Sequence, residues 1–560
     1  MFIHNAEVST ALPSIQAAQK LRKKKVCNMK KKIVDKSRNK IKVLDWRKYR
    51  PEGCGSISDS FYIKLSSKIY KELLPFSSDA GGWSKESVKE LSIISASYLE
   101  DIVSDLGIFK SFRDKHKELY ASSLPFYSSQ DGYAEDIINY SDILFLVWYI
   151  ASLHIFGKAL LFPSGNSITV LAGIIYAILD DAYNDAPMNT AYSEIFDSLE
   201  TDDPAVIRSF CLNIAKANYL YGPDIISRFQ NYIDENSDFI QRNIEYVYQY
   251  SYLFEVLFSF KVRSHLLSMD IFEIAGRLAI HHRKSDMGIF SIDPESFIFS
   301  LFEILSIGDE YIEAKHLSTK AVIRIVKESF STVEFLKPNA KSLFGVVKKG
   351  ENWYFCGLSI SGYSYKDADY KKYEAHVFND NMRQETENIL QKMTDLFIEQ
   401  YKRKILFLSS EEAQKIPEDF YRAYSKKICL EQNREYKETK HIFNGENETR
   451  RFFDTDSITL YFNPKSGFEF YDGIAECLDM EDNPFFKALD QEFLVQLVCN
   501  DCYSTEFYNE VIDFFFAKES LKDVKNYNAF SRNEFDFLKR FYSSDTYKTK
   551  FGVALTNVSE

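Results

Sequence analysis

From residue 59 to about residue 334, apolar side chains recur every three or four positions, the period of helices that bury one face. The clearest stretches are 88–106, 109–120, 136–156, 167–182, 204–221 and 243–260, with shorter ones at 193–200 and 271–281. In the first of these Tyr98, Leu99, Ile102, Val103 and Leu106 form a single stripe. A second helix and a corner at Leu124-Pro125-Phe126-Tyr127 follow. Residues 142–156 are apolar on every side, so neighbours must surround them, and Trp148 is expected at the centre of the core.

The pattern changes after Lys337-Pro338-Asn339. Residues 343–348 and 353–358 flank Lys349-Gly350-Glu351-Asn352 and predict a β-hairpin. A helix over 380–401, a strand over 404–408 and a helix opened by Ser409 and Glu412 as a capping box come next. Residues 457–462 predict a strand and Asn463 to Gly467 a turn, before helices at 469–478, 487–500, 505–517 and 534–541. No repeat of solenoid length stands out. The fold class expected is mainly α: a large irregular α-helical N-terminal domain, a small α/β unit with a β-hairpin, and a mostly helical C-terminal unit. The boundaries are a basic disordered arm 1–42, an α-helical domain 43–335, an α/β unit 336–430, a linker 431–456 and a strand-plus-helices unit 457–560.

Composition adds little to the class and more to the partners. Aromatics are 16% of 560 residues, with only 21 Gly and 13 Pro, which favours long elements with few tight turns. The net charge of −12 is unevenly spread. Twelve Lys and Arg lie between Lys20 and Lys42, so residues 43–560 carry 57 basic and 79 acidic side chains, or −22. Such a body repels nucleic acid except through the arm. Met29, followed by Lys30, Lys31 and Lys32, offers an alternative start. Eight scattered cysteines are no disulfide framework, and a cytoplasmic protein is expected. The N-terminus shows no secretory h-region, and the longest apolar run is too short to span a bilayer.

Candidate chemistry is sparse. Asp180-Asp181-Ala182-Tyr183-Asn184-Asp185 ends an apolar helix, and Asp181 and Asp185, four apart, could hold Mg²⁺ against a diphosphate. Helical terpenoid-type synthases pair such a motif with an Asn/Asp–Ser/Thr–Glu triad. The only echo here, Asn379, Arg383 and Glu387, contains an arginine that cannot ligate metal. A solvated helix end is the plainer reading. Cys499 and Cys502 form a lone C-x-x-C at the end of a helix, without the second pair that zinc needs. His281 and His282 are adjacent in a basic stretch and diverge by about 100° on a helix, so they suit a surface or interdomain contact. His116 and His154 fall within helical patterns and read as satisfied core or boundary histidines. Phosphate-loop, dinucleotide, zincin and serine-hydrolase motifs do not occur. No cofactor is expected, and no catalytic residue can be assigned.

One family likeness does emerge. Trp46, Tyr49 and Pro51 in DWRKYRP, Asp59, Tyr62 and Lys64 in DSFYIKL, and Tyr98-Leu99-Glu100-Asp101-Ile102 are its opening marks. Phe112, His116, Leu119, Tyr120, the Leu124 to Tyr127 corner, Trp148-Tyr149 and the turn Phe462-Asn463-Pro464-x-x-Gly467 complete them. The chain thus resembles an uncharacterised bacterial family, mainly of Bacteroidetes, known as domain of unknown function 3843. The resemblance covers most of the chain from Val43 to the C-terminus, is densest before residue 160 and is absent from the basic arm. It implies a cytoplasmic bacterial protein and brings no activity, cofactor or functional residue. Three readings follow: a non-catalytic interaction or regulatory protein with a protein partner, a metal-dependent helical enzyme using Asp180–Asp185, or nucleic-acid binding through residues 1–42.

Overall fold

The computed structural model describes residues 40–555 apart from 52–54, 78–81, 128–132, 155–159, 198, 200, 243–246, 331–335, 358–359, 362–376, 438–452, 454, 523, 526 and 548–552. The basic arm and most of the expected linker lie outside the described residues. Helices come first: α1 (Asp59–Leu73), α2 (Lys85–Ser104), α3 (Ile108–Tyr120), α4 (Tyr140–His154), α5 (Asn166–Ala182) and α6 (Ala191–Asp197). There follow α7 (Pro204–Lys216), α8 (Gly222–Glu235), α9 (Ser237–Arg242), α10 (Val247–Lys261) and α11 (Ile271–His281).

As its all-round apolar pattern predicts, α4 is buried without a break from Asp142 to Ser152. Trp148 is fully buried and its indole Nε1 donates to the Leu161 carbonyl at 2.8 Å. The Tyr149 hydroxyl donates to the Leu220 carbonyl at 2.9 Å. Rings from Phe126, Phe145, Phe537 and Phe541 surround the indole, so the C-terminal helices share this core. The expected helix over 204–221 stops at Lys216. Asn218 turns the chain there, its Oδ1 accepting the Leu220 and Tyr221 N–H groups, and α8 begins at Gly222.

Helix does not continue to residue 335. The chain becomes strand at Ile292: β1 (Ile292–Ile307), β2 (Tyr311–His316), β3 (Val322–Val326), β4 (Lys341–Lys349) and β5 (Asn352–Phe355). The reason for the misreading is burial. One face of β1 packs on α10, where Phe297 stacks on Phe260 at 4.0 Å, and the other fills a separate core with Ile298, Phe302 and Ile304. A strand buried on both faces shows no alternation and cannot be told from a buried helix by period. The hairpin β4–β5 is present, as part of a larger sheet. Its strand order is β1-β2-β3-β5-β4, and β4 returns to β1, which closes a five-stranded barrel. β3 and β5 pair parallel and the other pairs are antiparallel. This is the order of the OB-type barrel. A short β6 (Ile360–Ser361) pairs with the start of β4.

Beyond the barrel come β7 (Val377–Asn379), α12 (Asp380–Tyr401), β8 (Ile405–Leu408) and α13 (Ser410–Glu431), whose Ser409–Glu412 capping box is as expected. The last stretch holds β9 (Ile458–Asn463), β10 (Gly467–Asp472), α14 (Gln491–Cys499), α15 (Thr505–Ala517), α16 (Arg532–Tyr542) and β11 (Val553–Leu555). The expected helix over 469–478 is instead β10 and a 3₁₀ turn. Gly467, at φ +88°, turns the hairpin, and Phe468 and Phe470 alternate with Glu469 and Tyr471 as a strand requires. The sheet order β10-β9-β8 joins the segments on either side of residues 431–456, and β11 pairs parallel with β7. Ile41–Glu560 is one compact unit.

Candidate functional site

Tyr98, Glu100 and Asp101 sit in the fully buried part of α2, and each polar tip anchors a different element. Ser84 caps this helix by accepting the Ser87 N–H, and the buried Ser92 and Ser95 donate back to carbonyls four residues earlier. Tyr98 donates to Asp142 Oδ2 at 2.6 Å, fixing the start of α4, where Tyr133 and Asn139 also donate to that carboxylate. Burial pushes Asp142 above the usual carboxylate range despite these bonds. Glu100 pairs with Arg50 and accepts from Asn189 Nδ2 at 3.0 Å. The Arg50 guanidinium in turn lies 4.3 Å over the Trp46 ring, and Trp46 Nε1 donates to Asp59 Oδ1 at 3.2 Å.

Asp101 does the work of a missing cap. Gly107 precedes α3 and has no side chain with which to accept its first N–H groups. Asp101 accepts them instead, Ile108 N on Oδ1 at 3.1 Å and Phe109 N on Oδ2 at 2.7 Å, with the Tyr219 hydroxyl also on Oδ2 at 2.7 Å. Burial, the largest influence, leaves its carboxyl raised in spite of these donors. The turn between α2 and α3 is tight, with Asp105 at φ 52° and Gly107 at φ +80°. His281 Nε2 donates to the Asp105 carbonyl at 2.9 Å, and His282 Nε2 donates to that of Leu106 at 3.1 Å.

Around this turn opens a cleft of about 330 Å³, lined by both helices and the segment before α4. Asp101 is on its floor, and Asp105, Lys110, Arg113, Glu135 and Asp136 line it. Arg113 is 2% exposed and donates from Nη1 to the Tyr133 hydroxyl at 3.2 Å and from Nη2 to the Glu135 carbonyl at 2.8 Å. Its Nε is buried and has no partner. The cleft therefore sets one fixed carboxylate, Asp101, beside a buried guanidinium and the exposed acids Asp105 and Asp136.

The residues singled out from sequence lie elsewhere or at its rim. Asp181 is exposed and pairs with Lys68 at 3.1 Å. The α-helix ends at Ala182 and residues 183–185 form a 3₁₀ turn, so Asp181 and Asp185 do not lie on one continuous α-helix. Among the described residues no group of three His, Cys, Asp or Glu could hold a metal ion. Cys499 closes α14 with its thiol pushed up to about 12 by burial, and Cys502 is exposed. His281 and His282 clamp the α2–α3 turn at the cleft's frame. His116 is buried, its Nδ1 donating to the Ser122 carbonyl at 2.6 Å, and burial pushes it down to about 4. His154 meets Glu90 at 2.7 Å.

Sequence reasoning missed Arg113 and the cleft, which four separate segments build. It also missed Asp224 and His265, 41 residues apart and joined at 2.5 Å. Burial raises Asp224, but the His265 charge and hydrogen bonds, with Arg228, outweigh it and hold the carboxyl low. No described helix is long and apolar enough to cross a membrane.

No curated protein and no solved structure matches the chain. The family match ends at residue 208, so the likeness expected to run on to the C-terminus, the turn at Phe462 to Gly467 included, lies outside it. That match, to the model described as Protein of unknown function (DUF3843), spans residues 40–208, which hold every lining residue of the cleft, and over this segment the chain is similar to that family.

Proposed function

We propose that this chain is a non-catalytic interaction or regulatory protein of the cytoplasm, and that the α2–α3 cleft binds a ligand without converting it. Asp101 carries this reading. It is the deepest carboxylate of the cleft, and three fixed donors occupy both its oxygens. A general base must be free to take a proton from its substrate, whereas Asp101 is committed to holding α3. A protein partner would then read the ligand state from the turn that His281 and His282 clamp. The free thiols of Cys211, Cys356, Cys429, Cys477, Cys499 and Cys502 suit a reducing compartment. The test is incubation of the purified chain with a small-molecule cell extract, followed by mass spectrometry. Enrichment of a compound on the protein with none consumed is expected. Consumption of a compound that stops in Asp101→Asn would overturn the reading.

A second reading, nucleic-acid binding, is favoured by the barrel. OB-type barrels bind oligonucleotides or oligosaccharides across strands 2 and 3. Here that face offers Tyr311, Lys315 and Arg324, although Arg324 is paired with Glu313 at 3.1 Å. Residues 292–356 carry 8 basic against 9 acidic side chains, so the steering charge would come from residues 1–42. Single-strand binding that weakens steeply with salt, and is lost on deleting the arm, would support it. Binding unaffected by that deletion would sink the arm's role.

A further inference from the structure

We infer that the surface formed by residues 42–48 and Ile57 docks on an anionic lipid bilayer, which the protein binds from one side without crossing it. Aliphatic side chains stand out there without cover. Leu44 is 83% exposed and Ile57 99%, with Val43 beside them at 49%. Val43 and Leu44 precede Arg47 by four and three positions, so the three share one face of the short helix that starts at Val43 and runs on as a 3₁₀ turn. Arg47 joins this face to Ile57. Its Nε lies 3.9 Å from Asp59 Oδ2, and its Nη2 lies 2.9 Å from where a Cβ on Gly55 would sit. Gly55 and Asp59 flank Ile57, two residues to either side. None of these residues lines the cleft, so its ligand and this surface are tested separately.

Charge sets the partner. Lys42, Arg47 and Lys48 are exposed around these side chains, and the twelve Lys and Arg between Lys20 and Lys42 run directly into them along the chain. The acids nearby are already paired: Asp45 with Lys89 at 2.7 Å, the buried Asp59 with Arg50 at 3.7 Å, and Glu90 with His154 at 2.7 Å. Aliphatic side chains beside a basic segment suit acidic headgroups over an acyl layer. Single-stranded nucleic acid would ask for open rings on which to stack its bases, and the two rings of this segment, Trp46 and Tyr49, are buried. A second copy docked on the same surface would set these cations against one another. A side chain as exposed as Ile57 lies in no groove that a peptide could fill.

Sedimentation of the full chain with phosphatidylcholine vesicles, with and without about one-quarter phosphatidylserine, tests this. Binding is expected to the anionic vesicles alone and should weaken about tenfold or more between ~0.1 M and ~0.5 M salt. Leu44→Ser with Ile57→Ser should weaken it about tenfold or more as well. The melting temperature of that double variant should stay that of the parent, because both side chains already face water. Equal vesicle binding by the double variant would assign the attraction to residues 1–42 alone and overturn the inference. Equal binding of neutral and anionic vesicles would overturn it too. So would a parent chain that ignores vesicles and instead binds single-stranded RNA, a second copy or nothing.

Discussion

The imidazole of His281 lies so close to Gly107 that a Cβ on that glycine would sit 2.3 Å from the ring's Cδ2. Gly107 also adopts φ +80°, a region that side chains disfavour. Gly107→Ala is therefore expected to destabilise the chain by at least about 1–3 kcal/mol, read from urea midpoints. Adding His281→Ala should recover the steric part and leave the backbone part. A double variant no more stable than Gly107→Ala would show that the ring is not what the new methyl meets.

Trp148→Ala should cost about 3–5 kcal/mol, because the indole is fully buried and its cavity is walled by helices from both ends of the chain. The variant should express poorly or melt far lower. A melting temperature within about a degree of the parent would mean that α4 is not the centre of the core.

Two buried carboxylates should give opposite pH slopes. Asp224 is held below its unfolded value, so its contribution is present above about pH 4 and lost as pH falls through the folded value. Asp101 is raised, so its contribution is present below about pH 4 and lost as pH rises through the folded value. The stability deficit of Asp224→Asn should therefore widen from about pH 3 to about pH 7, while that of Asp101→Asn should narrow. Urea midpoints across that range decide it. Parallel slopes for both variants would contradict the assigned shifts.

The chain makes its local signals readable and its long-range ones not. α4 declares itself because every side is apolar, and Ser409 with Glu412 declares a helix start within four residues. β2 and β3 alternate buried and exposed positions over 311–326, a strand period that the helical reading of 59–334 passes over. The long β1 beside them hides it, because both of its faces are buried. The cleft was not legible, since Asp101, Arg113 and Glu135 belong to different segments and the ring that crowds Gly107 comes from His281, far along the chain. Asp181 and Asp185 drew notice by a helical spacing that the chain abandons at Ala182.

The pair of Arg50 and Glu100 offers the sharpest test of what holds α2 in place. Both side chains are buried, Arg50 at 5% and Glu100 at 1% exposure. Removing one charge strands the other in a low-dielectric interior, a change that costs about 3–5 kcal/mol, whereas replacing both by apolar groups is often far milder. Among the described residues, Arg50→Met leaves Glu100 with Asn189 alone of its side-chain partners, and that single bond at 3.0 Å does not neutralise a charge. The expectation is a large loss for Arg50→Met and a smaller one for Arg50→Met with Glu100→Met. Stability recovered by the second substitution would locate the cost in the orphaned carboxylate. Losses that simply add would mean that Arg50 acts mainly through its stack on Trp46 and its approach to Asp59 at 3.7 Å, with Glu100 held independently.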